Sequence, residues 1–171
     1  MPNAGGRVLD VGCGIGVLDY AIGRDNPDLR IVGIDISEDS IARAREHHAL
    51  PNVTFAAKSL QAVDGEFDCV LFVDVFHHVP PSEHEGLLRA ARERLSPKGY
   101  VLIKEIERRR GAISLFFDRV ISRCPEVWLM NREELEGLVR RHLHVRSSEA
   151  KWRFPFPHYY ITAGREDGTS P

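Results

Sequence analysis

Residues 7–16 read Arg-Val-Leu-Asp-Val-Gly-Cys-Gly-Ile-Gly, an apolar run that carries an acid and closes on glycines at alternate positions. The run at 8–11 has the character of a buried strand. Gly12, Gly14 and Gly16 then permit a sharp turn that brings backbone amides against a ligand at the start of the next helix. A second apolar run, 31–34, ends in Asp35, roughly twenty residues past Gly16, where a carboxylate can accept both hydroxyls of an adenosine ribose. Strand, glycine turn, helix, strand and acid in that order restrict the chain to a nucleotide cradle.

The acids narrow the ligand. A dinucleotide fold lays its pyrophosphate over the glycine turn and needs a third glycine where this chain has Val17, and Asp10 would put negative charge beside the phosphates. A cationic nucleoside suits the loop better. S-adenosylmethionine has a bare ribose, no phosphate, an ammonium and a sulfonium, so Asp10 becomes an attractive partner.

The glycine run, Asp35, the stretch Phe67 to Val79 with Asp74-Val75-Phe76-His77-His78, and Leu95-Ser96-Pro97-Lys98-Gly99-Tyr100-Val101-Leu102-Ile103 together resemble the class I S-adenosylmethionine-dependent methyltransferases over nearly the whole chain. The resemblance implies an α/β fold, a doubly wound, mostly parallel seven-stranded Rossmann-like sheet closed by a C-terminal antiparallel hairpin. It implies S-adenosylmethionine as cofactor, with Asp10, Gly12, Gly14 and Gly16 at the methionyl end and Asp35 and Ile36 at the adenosine. After the third strand relatives commonly place an acid for the adenine amino group. Here Ser59 can accept that hydrogen bond and the Leu60 amide can meet a ring nitrogen, without charge assistance, which predicts weaker donor binding than an Asp would give. Asp74, at the end of the fourth strand, completes the cofactor set.

A chain of 171 residues fits one domain, here residues 1–165, followed by a tail at 166–171 expected to be disordered. With 43% hydrophobic and 28% charged residues it reads as an ordinary globular composition, and no apolar stretch is long enough to span a bilayer. The first six residues carry no secretion signal, so a cytoplasmic protein is expected. Cys13, Cys69 and Cys124 are odd in number and widely spaced, against a disulfide framework. Cys13 reads as a small loop residue, although a helix start could activate its thiol. A net charge of -2 offers no general attraction for nucleic acid.

Strand and helix signals alternate throughout. A helix over 17–24 stops at Asp25-Asn26-Pro27, and Ser37 caps a second that ends before Pro51. Strands follow at 53–57 and 67–73. Ser82 and Glu85 form a capping-box pattern for a helix carrying Leu87, Leu88, Ala91 and Leu95, with a strand at 100–103 beyond Pro97-Lys98-Gly99. Ile113, Phe116, Phe117, Val120 and Ile121 recur at helical spacing, Asn131 with Glu134 caps a last helix, and strands close the chain at 143–146 and 158–162.

Methyl transfer from a sulfonium needs alignment in a dry pocket and no nucleophilic side chain. Of the adjacent histidines, His78 is read toward the pocket as the candidate general base, with the other beneath the following helix; local hydrogen bonding or stacking on the adenosine rim is the alternative for both. Glu105 is a candidate acceptor-side acid, with a surface role as the alternative. The histidine pairs lack metal-ligand spacing, so no metal is assigned. The runs Arg108-Arg109-Arg110 and Arg140-Arg141 read as solvated helix ends. The prolines of an exocyclic-base methylase are missing after Asp74, which leaves a small, partly apolar molecule as the expected methyl acceptor. Because the chain begins almost at its first strand, either the pocket stands open or a partner completes it, and a homodimer is the partner expected. A binding or regulatory module with little transfer activity is the competing reading.

Overall fold

The computed structural model describes residues 1–107, 127–153 and 156–165. The helix expected around 113–121, the arginines at 108–110, Cys124 and the tail lie outside the described residues. In chain order the elements are β1 (Arg7–Val11), α1 (Val17–Asp25), β2 (Arg30–Asp35), α2 (Glu38–His47), β3 (Val53–Ala57), β4 (Phe67–Val73), α3 (Pro81–Arg94), β5 (Leu95–Ile106), α4 (Arg132–Arg140), β6 (His144–Arg153) and β7 (Phe156–Gly164). The sheet runs β3-β2-β1-β4-β5-β7-β6, parallel through β5 and antiparallel in β7 and β6. This is the doubly wound architecture expected from the motifs.

Alternate side chains of the strands build two cores. Val8, Ile31, Cys69 and Leu71 pack with Ile41 and Ala44 of α2 on one face, while Leu9, Val70, Phe72, Val101 and Ile103 pack with Leu88 of α3 and Leu135 and Val139 of α4 on the other. Burial on both sides is why β1 and β4 read as continuous apolar runs. Asp68 ties the strand starts together, accepting from the Arg7 amide at 2.9 Å and the Ser96 hydroxyl at 2.8 Å. Among the described residues no helix is long and apolar enough to cross a membrane.

Three local expectations need correction. Pro80, not Ser82, is the residue before α3, and no side chain caps that end; Pro81 occupies the first helical position, where its missing N–H removes one donor that would need a cap. Strand β5 begins at Leu95 instead of Tyr100, because Pro97 sits in an irregularity where the pairing shifts between Phe67 and Cys69. The closing hairpin is longer than the apolar signal, since the charged residues of β6 continue the pairing. The Ser37 cap and the Asn131–Glu134 capping box form as expected.

Candidate functional site

Strand order reverses between β1 and β4, and an open α/β sheet binds ligands at such a point, beyond the carboxyl ends of its strands. A cleft of about 340 Å³ lies there, lined among others by Gly12, Asp35, Ile36, Ser59, Leu60, Asp74, Val75, His78 and Leu87. Seven residues singled out in the sequence thus meet in one place: Gly12, Asp35, Ile36, Ser59, Leu60, Asp74 and His78.

The glycine loop has left-handed backbone at Gly12 and Gly16 (φ 73° and 78°). A Cβ on Gly16 would lie 2.5 Å from the Phe55 ring, so the loop closes onto the sheet only with glycine there. Four of its amides do not face a ligand as expected. Gly12 and Cys13 donate to the Ile34 carbonyl at 2.8 and 3.0 Å, Gly14 donates to Asp35 Oδ2 at 2.9 Å, and Gly16 to the Cys13 carbonyl at 3.0 Å. A phosphate needs free N–H donors, and these four are consumed inside the protein. With these four amides withdrawn and the Asp35 carboxylate beside them, the loop favours a ligand without phosphate.

Asp35 is pinned from both sides, with Ser37 N donating to Oδ1 at 2.9 Å and Gly14 N to Oδ2. Each carboxylate oxygen keeps a second lone-pair site for a ribose hydroxyl. Ile36 next to it is 84% exposed, an apolar side chain held out in the cleft mouth where a flat ring could cover it. Leu60 is buried behind, and Ser59 is exposed at the rim.

Asp10 does not line the cleft. It is 3% exposed on the α1 side of β1, against Asp19 of α1, which is 0% exposed and which the sequence reading missed. Burial first, then the Asp19 carboxylate, holds the Asp10 carboxyl well above the usual range, and burial pushes Asp19 up to about 6. The available signal was spacing, for Asp19 and Gly23 are four apart and form the inward face of α1. Burial and the neighbouring acids also raise the Cys13 thiol, so it is not an activated nucleophile.

At the other wall, the turn after β4 places Asp74 in left-handed backbone (φ 58°), with its carboxylate on the Lys104 ammonium. His78 is exposed in the cleft, its ring centroid 4.0 Å from that of His77. His77 is buried, its Nδ1 2.6 Å from Glu105 Oε2, while Glu105 Oε1 accepts the Phe76 amide at 2.6 Å. Glu105 fits neither of its two expected places: it is 2% exposed, lies outside the cleft lining and spends both oxygens on the turn. Its role was legible in part, because Val101, Ile103 and Glu105 continue one inward-facing alternation. Asp74, His77 and Glu105 each bring a ligand-capable atom within 4.8 Å of the others, a trio that the histidine spacings alone did not reveal. Two of its carboxylate contacts are already made by Lys104 and by His77.

This fold and cleft define a Rossmann-like domain with a site for a phosphate-free nucleoside. The chain belongs to the class I S-adenosylmethionine-dependent methyltransferases, matching the family described as "Methyltransferase domain" over residues 1–154. It is 35% identical over 108 residues to the mitochondrial ubiquinone biosynthesis O-methyltransferase of Saccharomyces cerevisiae, covering 59% of this chain and 34% of that protein. It is 31% identical over 102 residues to the cyclopropane-fatty-acyl-phospholipid synthase of Escherichia coli K12, covering 60% of this chain and 26% of the other. The chain thus spans a quarter to a half of the length of the curated relatives it matches. Among solved structures, the magnesium protoporphyrin IX methyltransferase of Synechocystis PCC 6803 with bound S-adenosylhomocysteine shares the fold at TM-score 0.72 and 20% identity, over 95% of this chain and 74% of that one.

Proposed function

We propose that this domain binds S-adenosylmethionine in the cleft at the β1–β4 switch point and transfers its methyl group to a small, partly apolar acceptor. The observation that carries this reading is the glycine loop, four of whose amides are satisfied internally beside a ribose-ready Asp35. When bound, the donor supplies a methyl group on a positively charged sulfur. Ile36 and Leu60 would flank the adenine, Ser59 would accept from its amino group, and Asp35 would accept from the ribose. Val75, Val79 and Leu87 line the remaining wall with apolar surface that excludes water from the reacting atoms. His78, exposed on that wall, would take the proton that an acceptor hydroxyl or amine releases. Glu105 acts through others: it holds the Phe76 amide and His77, and thereby the turn that presents His78. The relatives named as O-methyltransferases support an oxygen acceptor.

Titration with S-adenosylhomocysteine and turnover on a panel of phenolic acceptors test the reading. Micromolar binding is expected, with His78→Ala losing on the order of 10²-fold in kcat at unchanged donor affinity. A chain that ignores the thioether product refutes donor binding, and full activity in His78→Ala refutes the base.

A further inference from the structure

The arginines that close α4 have company that their place in the sequence does not show. A pocket of about 410 Å³ lies between the second half of α3 and the turn after α4, walled by Arg89, Arg92 and Glu93 on one side and by Arg140, Arg141 and His142 on the other. It is separate from the cleft at the β1–β4 switch point. Glu83, in the first turn of α3, lines that cleft, and Arg92 stands about 13 Å further along the helix axis.

Two of the four arginines are already paired. Arg140 Nη2 donates to Glu136 Oε1 at 2.6 Å, and Arg141 Nη2 lies 2.9 Å from Glu85 Oε1, an acid that His142 also approaches at 3.8 Å. Glu93 lies 3.9 Å from Arg94, which is not part of the wall. Among the described residues the guanidinium groups of Arg89 and Arg92 have neither an ion pair nor a hydrogen bond, and both side chains are exposed. Nor do they serve as helix caps. The carbonyls of Arg92 and Glu93 are taken by the Arg165 guanidinium at 3.0 and 3.3 Å, and Arg89 stands more than a turn before the end of α3. Like charges three residues apart on one helix face repel, and an anion bridging them removes the repulsion.

We propose that this pocket is a second binding site, which takes the phosphate group of a small molecule between Arg89 and Arg92. The two unpaired positive charges match a phosphate monoester, which carries about 1.5 to 2 negative charges near neutrality. A guanidinium fork meets two phosphate oxygens at once, and Arg141 keeps donors to spare beyond the one it gives Glu85. A carboxylate or a sulfate ester brings a single charge and leaves one arginine unmatched, while Glu93 in the wall works against so weak an anion. The concave shape, in the size range of small-ligand sites, suits a small molecule better than a flat membrane surface. This site is independent of the donor reading above.

Calorimetric titration of the full 171-residue chain at pH 7.5 and low salt, with phenyl phosphate as a dianion and phenyl sulfate as a monoanion of the same shape, reads the charge match. Phenyl phosphate is expected to bind at least about tenfold more tightly than phenyl sulfate and to weaken as salt is added. Arg89→Gln and Arg92→Gln should each lose about tenfold in affinity for phenyl phosphate and erase its advantage, whereas Glu93→Gln should tighten it about threefold. All three positions are exposed, so an unchanged thermal midpoint reports an intact fold in each variant. Equal affinity for the two esters, wild-type affinity in both arginine variants, or no saturation by phenyl phosphate below about 10 mM overturns the proposal. Capture of the chain on phosphatidylglycerol vesicles without binding of phenyl phosphate would assign the arginines to a membrane surface and overturn it as well.

Discussion

Asp19 costs the empty domain stability, and the pH dependence of that cost follows from the direction of its shift. Its folded pKa of about 6 stands above an ordinary value of 3.8, so the folded state holds more protons than the unfolded chain between these values. Stability from this group is fully present below about pH 4 and is lost as pH rises through 6. Asp10, shifted in the same direction, adds to this loss. Replacing Asp19 with Asn should therefore raise the thermal midpoint at pH 7.5 by an amount corresponding to about 3 kcal/mol and change it little at pH 4. An equal shift at both pH values, read by scanning calorimetry, would show that the acid is not titrating. The sequence exposed Asp35 and Ile36 because a strand-ending acid has a local signature. It concealed Asp19 and misplaced Asp10, because whether an acid is buried depends on what packs over it.

At the scale of elements, the two predicted capping boxes separate cleanly. Asn131 Oδ1 accepts the Glu134 amide at 2.8 Å and Glu134 Oε2 accepts the Asn131 amide at 2.9 Å, closing α4 onto the sheet through Leu135 and Val139. Asn131→Ala should cost about 1 kcal/mol in denaturant unfolding. Ser82→Ala should cost less than about 0.5 kcal/mol, because Ser82 is an exposed residue of the first turn and Pro81 already starts the helix. Comparable losses in both would mean that the pattern, not the observed hydrogen bonds, governs the helix starts. The same spacing thus reads alike in sequence and differs in structure, since a proline one residue earlier resets where the helix begins. Glu105 teaches the complementary lesson. Its inward register was visible in the alternation of β5, but its partners, Phe76 and His77, come from a turn about 28 residues away in sequence.

For the whole molecule, most of the architecture was written in the apolar runs, since five parallel strands buried on both faces leave an unmistakable pattern. The wall proposed for the donor was legible for the same reason: its residues sit at strand ends, at fixed offsets from those runs. The wall proposed for the acceptor was not, because the turn holding Asp74, His77 and His78 is organised by contacts across the sheet to Lys104 and Glu105.

The strand order carries a consequence for how the chain is made. Strand β7, late in the sequence, lies between β5 and β6, so β5 shows a bare hydrogen-bonding edge until residues 156–164 have left the ribosome. A nascent polypeptide stalled at residue 153 should be cleaved by dilute protease at least about tenfold faster than one released past residue 165. Equal resistance of the two on a gel would mean that the parallel half matures during synthesis without waiting for its last strand.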